Sequence, residues 1–313
     1  MKSPVAANAL TLQQLRVFVA YMQTGKTTAA AEELGIAQSS VVFHLNRLQE
    51  IAGVPLFAGR SSDVRGLTET GELLHHYART ICQLETQAAQ ALSAGREARA
   101  SLIRVGATYT PGTYVLPEVM GRYRREHPHV QVQVEVDIGP RLIDKLTAHE
   151  LDLALLPGTS ADGLQRRRIQ ARSLIRDDLV VIVHPDAPLA SAVSWEPGAL
   201  EAVPMVLHEK GSGSRRITDE WAVRNGVRVT GLLETTATEM MKELVMAGVG
   251  TAVVSPMCCQ REVAAGLLHA RPLPGQVEAR YLYLCHHSDR YASPALVAFE
   301  AEIAARLART TRV

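Results

Sequence analysis

The stretch Thr28-Ala29-Ala30-Ala31-Glu32-Glu33-Leu34-Gly35-Ile36-Ala37-Gln38-Ser39-Ser40-Val41-Val42-Phe43-His44-Leu45 decides how the N-terminal part of this chain folds. Ala29, Ala30 and Leu34 keep helical spacing before Gly35-Ile36-Ala37, and Val41, Leu45 and Leu48 keep it afterwards. So short a connection, opened by a glycine, predicts two helices in helix-turn-helix arrangement. Upstream, Leu12, Leu15, Phe18, Val19 and Met22 predict a further helix, with Thr11 as its N-cap and Gly25 at its end.

Downstream, the segment from Phe57 to Thr68 reads as two short extended pieces around a polar tip, Arg60-Ser61-Ser62-Asp63-Val64-Arg65-Gly66. This is a β-wing pattern, with arginines at its edge. From Glu69 to about Leu92 there is no proline, and only Gly71 interrupts a helix-favouring composition. Leu74, Tyr77, Ile81, Leu84, Ala88 and Ala91 recur every three or four residues along it, an a/d seam that wants a partner helix. Packing onto its own domain is the alternative.

Small and charged residues at 93–100 mark a boundary, beyond which strand and helix patterns alternate. Strands are expected at 102–106, 130–136, 151–156, 179–183 and 250–254, with helices around 116–126, 141–148, 215–225 and 238–247. The fold class is α+β multi-domain: a DNA-binding domain at 10–68, a linker helix at 69–95, a hinge at 96–101 and a C-terminal α/β module. The module divides into subdomain I (102–174 plus 275–313) and subdomain II (175–274).

At 313 residues the chain exceeds the usual span of one hydrophobic core. Its 33 Lys+Arg against 32 Asp+Glu exclude a non-specific nucleic-acid packer, so any DNA binding is local. Cys82, Cys258, Cys259 and Cys285 have neither disulfide-framework nor zinc spacing, which fits a reducing cytoplasm. No apolar run is long enough to span a membrane, and the first residues lack a signal-peptide core.

The segments 15–20, 28–34, 37–41, 48–57 and 67–71 together resemble LysR-type transcriptional regulators, and the likeness extends over nearly the whole chain. The resemblance implies a winged helix-turn-helix, a dimerising linker helix and an effector module like a type 2 periplasmic binding protein. It also implies a homodimer, with dimers pairing into a tetramer, acting on double-stranded promoter DNA and touching RNA polymerase if it activates. No cofactor, metal or membrane partner is expected.

Gln38, Ser39 and Ser40 stand where the family meets DNA, and a recognition helix needs polar groups at this end to reach base edges. Val42 and Phe43 depart from the family's usual polar residues, which shifts the expected readout. Val42 suits a thymine methyl. His44 and Arg47 are further contact candidates, with a plain surface role as the alternative for His44. Arg60 and Arg65 are phosphate or minor-groove candidates, against solvated surface charges.

In the C-terminal module, the polar turn 108–117 follows a strand, where ligands of α/β sheets tend to bind. Thr108 and Thr110 are its candidates. The run Glu209-Lys210-Gly211-Ser212-Gly213-Ser214-Arg215-Arg216 offers backbone amides, hydroxyls and a charge at a helix start, an anion-site pattern for which an ordinary capped helix is the alternative. Ser212, Ser214 and Arg215 are its candidates, and the resemblance adds Thr238. Both segments look most like the carbon-fixation and sulfur-assimilation subgroup, which implies a small anionic effector, phosphorylated or sulfur-bearing. An enzyme is disfavoured because nucleophile-elbow, P-loop and H-E-x-x-H patterns are missing. A redox sensor of the same fold using Cys258 and Cys259 is the alternative function.

Overall fold

The computed structural model describes residues 10–58, 66–94, 102–192 and 195–310. The chain divides into two compact units, one of residues 1–98 with 148–150 and the other of 99–147 with 151–313. The predicted hinge, 96–101, lies outside the described residues.

In the first unit, α1 (Leu12–Thr24), α2 (Thr27–Leu34), α3 (Gln38–Ala52) and α4 (Glu69–Ala94) follow in order. Thr11 and Gln14 form a reciprocal capping box at the start of α1, satisfying two amides that the helix itself leaves open. Gly35 turns the chain between α2 and α3 with φ of 64°, a left-handed conformation that other residues adopt only with strain. Val17, Phe18, Ala30, Val41, Leu48 and Leu56 are buried in one cluster with Ala78 of α4. Each large aliphatic or aromatic side chain buried there contributes about 1.5–3 kcal/mol. The wing is present at its root, where Phe57 and Leu67 form an antiparallel bridge and Ala58 N–H donates to the Gly66 carbonyl at 3.0 Å.

Two faces of α4 do different work. Leu74, Ala78 and Cys82 turn inward onto the helix-turn-helix core. Leu73, Tyr77, Ile81 and Leu84 are 57, 56, 39 and 42% exposed, and Ala88 is exposed with them. The outward stripe therefore runs through Leu73 rather than Leu74, because Leu74 is occupied by its own domain. Ala91 lies on α4, but its side chain is outside the described residues.

The second unit continues with β1 (Leu102–Ala107), α5 (Tyr109–Tyr114), α6 (Leu116–Glu126), β2 (Gln131–Val136), α7 (Gly139–Thr147), β3 (Leu153–Gly158) and β4 (Ile169–Arg176). Then come β5 (Val180–Val183), α8 (Pro188–Ser191), β6 (Met205–His208), α9 (Gly213–Asn225), β7 (Gly231–Thr235), α10 (Thr238–Met246), β8 (Thr251–Val254) and α11 (Gln260–Ala264). The chain closes with β9 (His269–Pro272), β10 (Tyr281–His287) and α12 (Pro294–Thr310).

Two mixed five-stranded sheets result, ordered β2-β1-β3-β10-β4 and β7-β6-β8-β5-β9. In the first, β1 pairs in parallel with β2 and β3, while β10 runs antiparallel between β3 and β4. Apolar clusters cover it, with Phe299 and Ile303 of α12 and Tyr123 of α6 on one face and Leu142 and Leu146 of α7 in another cluster. The chain passes between the sheets twice, from β4 to β5 and from β9 back to β10.

The polar turn expected at 108–117 is in fact a six-residue helix, α5, running directly into α6. Thr108 is its extended N-cap residue, and the Val115 N–H donates to the Pro111 carbonyl, so a segment rich in turn residues still closes helical bonds.

Candidate DNA-reading helix and effector cleft

The N-terminus of α3 has Ala37 as its cap residue with no capping side chain, so nothing in the helix itself screens its first amides. Gln38 and Ser39 are exposed and Ser40 is half-buried. Gln38 Nε2 donates to Thr27 Oγ1 at 3.0 Å, holding the amide against the start of α2. Ser39, Val42, Phe43, Asn46 and Arg47 are also exposed along α3, and Phe43 keeps 63% of its surface in solvent. Phe43 is thus a surface residue of α3 and not part of the core.

His44 tucks in at half burial with its ring 5.5 Å from that of Phe43. Arg47 pairs with Glu50 at 2.8 Å in the open, an interaction of the kind that yields readily to a phosphate. Arg60 and Arg65 fall outside the described residues.

The second site lies between the two sheets of the C-terminal unit. Here a cleft of about 570 Å³ opens at the carboxyl ends of β1, β3 and β6, the expected edge for ligands in sheets of this type. The wall from the first sheet carries Thr108, Ile143, Leu156, Ser160, Asp162 and Tyr283, and the opposing wall carries the segment from Lys210 to Arg216. Thr108 Oγ1 is buried without a hydrogen-bond partner, a state that costs about 1–3 kcal/mol until something fills it.

Ser212 caps α9, its side chain accepting from the Arg215 N–H at 3.1 Å. Arg215 also lines the cleft, yet its guanidinium is held by Asp219 and Glu234, each at 2.9 Å, and by the His208 carbonyl at 3.0 Å. Of the six sequence candidates, Thr108, Ser212 and Arg215 share this cleft. Thr110, Ser214 and Thr238 are outside its lining, Thr238 being buried in the first turn of α10. Sequence reasoning missed Ile143, Asp162 and Tyr283. The turn 158–164 after β3 carried the same polar signal as that after β1 and went unread.

Deeper between the sheets, Arg280 and Asp177 form a buried ion pair at 2.5 Å, and Ser255 Oγ donates to Asp177 Oδ1 at 2.6 Å. Burial and the Arg280 charge pull the His208 imidazole down to about 4, so it is neutral. On the other side of α5, Tyr114 donates to Glu239, whose partner Lys242 also pairs with Glu262 at 2.7 Å. Burial and that carboxylate push the Tyr114 phenol up, keeping it a donor.

All four cysteines are free thiols, with Cys258, Cys259 and Cys285 buried. Burial pushes Cys285 up to about 12, and the Cys259 contact together with burial raises Cys258 strongly. Among the described residues no group of three His, Cys, Asp or Glu gathers as a metal site, and no helix is long and apolar enough to cross a membrane.

Two family models match this chain: the bacterial regulatory helix-turn-helix of the LysR family over residues 12–72 and the LysR substrate binding domain over 96–308. The chain belongs to the LysR family. As a LysR-type protein it is a DNA-binding transcriptional regulator with an effector-binding domain, not an enzyme.

Its curated relatives include a protein from Trichormus variabilis named "Probable RuBisCO transcriptional regulator", 30% identical over 94% of this chain and 87% of the relative. This bears out the likeness to regulators of carbon fixation. A full-length OxyR variant from Pseudomonas aeruginosa superimposes with TM-score 0.70 at 23% identity, covering 95% of this chain and 94% of that one. CbnR complexed with its target DNA gives 0.63 at 18% identity, covering 95% and 100%. The Synechocystis CcmR regulatory domain in complex with 2-PG gives 0.59 at 22%, covering 66% and 97%. These likenesses establish the LysR-type fold.

Proposed function

We propose that this LysR-type regulator reads promoter DNA through the N-terminal turn of α3 and answers to a small anionic metabolite held in the cleft between its two sheets. One observation carries the effector reading. The unpartnered Thr108 hydroxyl faces a cleft whose other wall is the Ser212-capped start of α9. Backbone amides at such a start attract negative charge.

Gln38, Ser39 and Ser40 are the base-reading candidates, Val42 and Phe43 supply apolar contact, and His44, Arg47, Arg60 and Arg65 are the flanking contacts. A neighbour of this fold solved with target DNA and another with 2-PG support both halves of the reading. The exposed stripe on α4 supports a homodimer, which pairs into a tetramer as the family resemblance implies. Effector binding closes the subdomains about the two passages between sheets, divided near 174 and 275, and so changes the angle between DNA-binding heads. The protein works in the cytoplasm and meets RNA polymerase where it activates. The redox alternative finds less support, because Cys258 and Cys259 are both buried and adjacent in the chain; the contact between them holds the Cys258 thiol up and the Cys259 thiol down.

The test is a gel shift of the purified protein on the DNA upstream of its own gene, at two salt concentrations, with and without added organic anions. Salt-sensitive binding that survives competitor DNA and moves with an anion is the expected result. Binding that responds to mild peroxide and to no anion would favour the thiols instead.

A further inference from the structure

The effector reading leaves the class of anion open, and the charges of the cleft narrow it. Its lining holds three cations, Lys210, Arg215 and Arg216, against three carboxylates, Asp162, Asp219 and Glu220. Arg216 is paired with Glu220 at 2.7 Å, and Arg215 with both Asp219 and Glu234. Counting Glu234, four carboxylates face three cations, so the walls carry no positive surplus. Among the described residues Lys210 and Asp162 stand outside the ion pairs, on opposite walls.

A multiply charged phosphate needs surplus cations to replace its hydration, as clusters of Arg and Lys provide in phosphate sites. This cleft has no such surplus: among the described residues Lys210 is its one cation outside an ion pair, and a carboxylate, Asp162, stands across from it. The wall around Asp162 carries an apolar patch, Ile143, Leu156, Pro157 and Leu164, beside the hydroxyls of Thr108, Ser160 and Tyr283. About 570 Å³ also exceeds what an inorganic oxyanion occupies, and falls in the range of sites that bury an organic ligand.

Resting on the effector reading above, we propose that the effector is an organic monocarboxylate with an apolar carbon body, and that Asp162 is the residue that turns multiply charged anions away. The carboxylate lies toward Lys210 and the start of α9, and the carbon body packs on Ile143, Leu156 and Leu164. Phosphorylated anions, one of the two classes that the sequence resemblance implied, are then rejected, and so is inorganic sulfate.

The experiment measures thermal shifts and titration calorimetry on the full-length protein at constant ionic strength. One set of probes is cyclic or branched monocarboxylates such as shikimate and 4-hydroxybenzoate. The other is a sugar bisphosphate, 2-phosphoglycolate and sulfate. The wild-type protein should bind within the first set and not the second. Asp162 is exposed, so Asp162→Lys should fold normally and gain about two- to fivefold in affinity for the phosphates, the scale of an exposed charge contact. Tight binding of a phosphate by the wild-type protein, lost in Lys210→Ala, overturns the monocarboxylate assignment while leaving the effector cleft in place. Silence from both sets overturns the proposal. If operator binding is also indifferent to every probe, the effector reading falls with it.

Discussion

Arg280 Nη1 lies 2.5 Å from Asp177 Oδ2, both side chains 2% exposed, and each residue comes from a different one of the two chain passages that join the sheets. The pair is reinforced on its backbone, since Arg280 also donates to the Asp177 carbonyl at 2.9 Å and Asp177 N–H donates to the Arg280 carbonyl at 2.8 Å. A pair this deep contributes little over an apolar substitute, but breaking one side strands a charge. Arg280→Met should therefore cost about 3–5 kcal/mol, and adding Asp177→Leu should restore part of it. Trp195 and Trp221 both pack in the second sheet's apolar cluster, so their fluorescence during urea denaturation reads this unit. A double variant no better than the single would reject the stranded-charge account.

His208 gives a pH dependence of definite sign. Its folded value of about 4 lies below its ordinary 6.5, so the folded protein favours the neutral ring. The unfolded chain takes up the proton first, and stability is lost as pH falls from about 6.5 through 4, by up to about 3 kcal/mol. Against His208→Gln, the wild-type advantage at pH 7 should shrink over that window. A constant difference between the two proteins would exclude His208 as the source.

Gln38→Ala should weaken binding to the specific operator by about 1–3 kcal/mol more than to unrelated DNA, if its amide leaves Thr27 to read a base edge. Fluorescence anisotropy on both duplexes checks this. Equal loss on the two would make Gln38 a residue that positions the helix.

On α4, replacing Tyr77 and Leu84 by lysine should dissolve the proposed dimer, because both side chains are outward and an ammonium buried in that interface without a partner is costly. The expected loss is about 3 kcal/mol or more, roughly 100-fold in Kd, read by sedimentation velocity. Leu74→Lys should instead lower the melting temperature, since Leu74 packs on its own domain. The reverse pattern would mean that the seam runs through Leu74 after all.

Gly71 looks like a defect in a long helix, and alanine there should help by about 1 kcal/mol on propensity alone. Instead a Cβ at Gly71 would sit 2.0 Å from the Leu56 carbonyl oxygen, which is backbone and cannot swing away. Crowding of this sort costs about 1–3 kcal/mol or more, so Gly71→Ala should be a net loss. Circular dichroism melts of the two proteins decide it, and a stabilised variant would show that α4 can shift.

Much of this was legible in the residues. Local rules gave the three helices around Gly35, the wing root, the long α4 and the early strands, because helical and alternating spacings act within a few residues. They failed at α5, where Gly112 and Pro111 suggested a turn, and passed over β4, β6, β7, β9, β10 and α12. β4 is a mostly polar edge strand and β9 is four residues long and ends in proline, so neither shows a clear period.

The sequence by itself determined the helix-turn-helix, through spacing and residue type, and the family, through its resemblance over several segments, and it offered two segments as candidates for an anion. Only the tertiary structure decided which candidates meet. It brought Thr108 and Ser212 into one cleft with Asp162, absorbed the Arg215 charge in Asp219 and Glu234, and turned Leu74 inward. The reason is physical: whether a charge is free, or a leucine exposed, depends on neighbours distant in sequence, and those are set by packing.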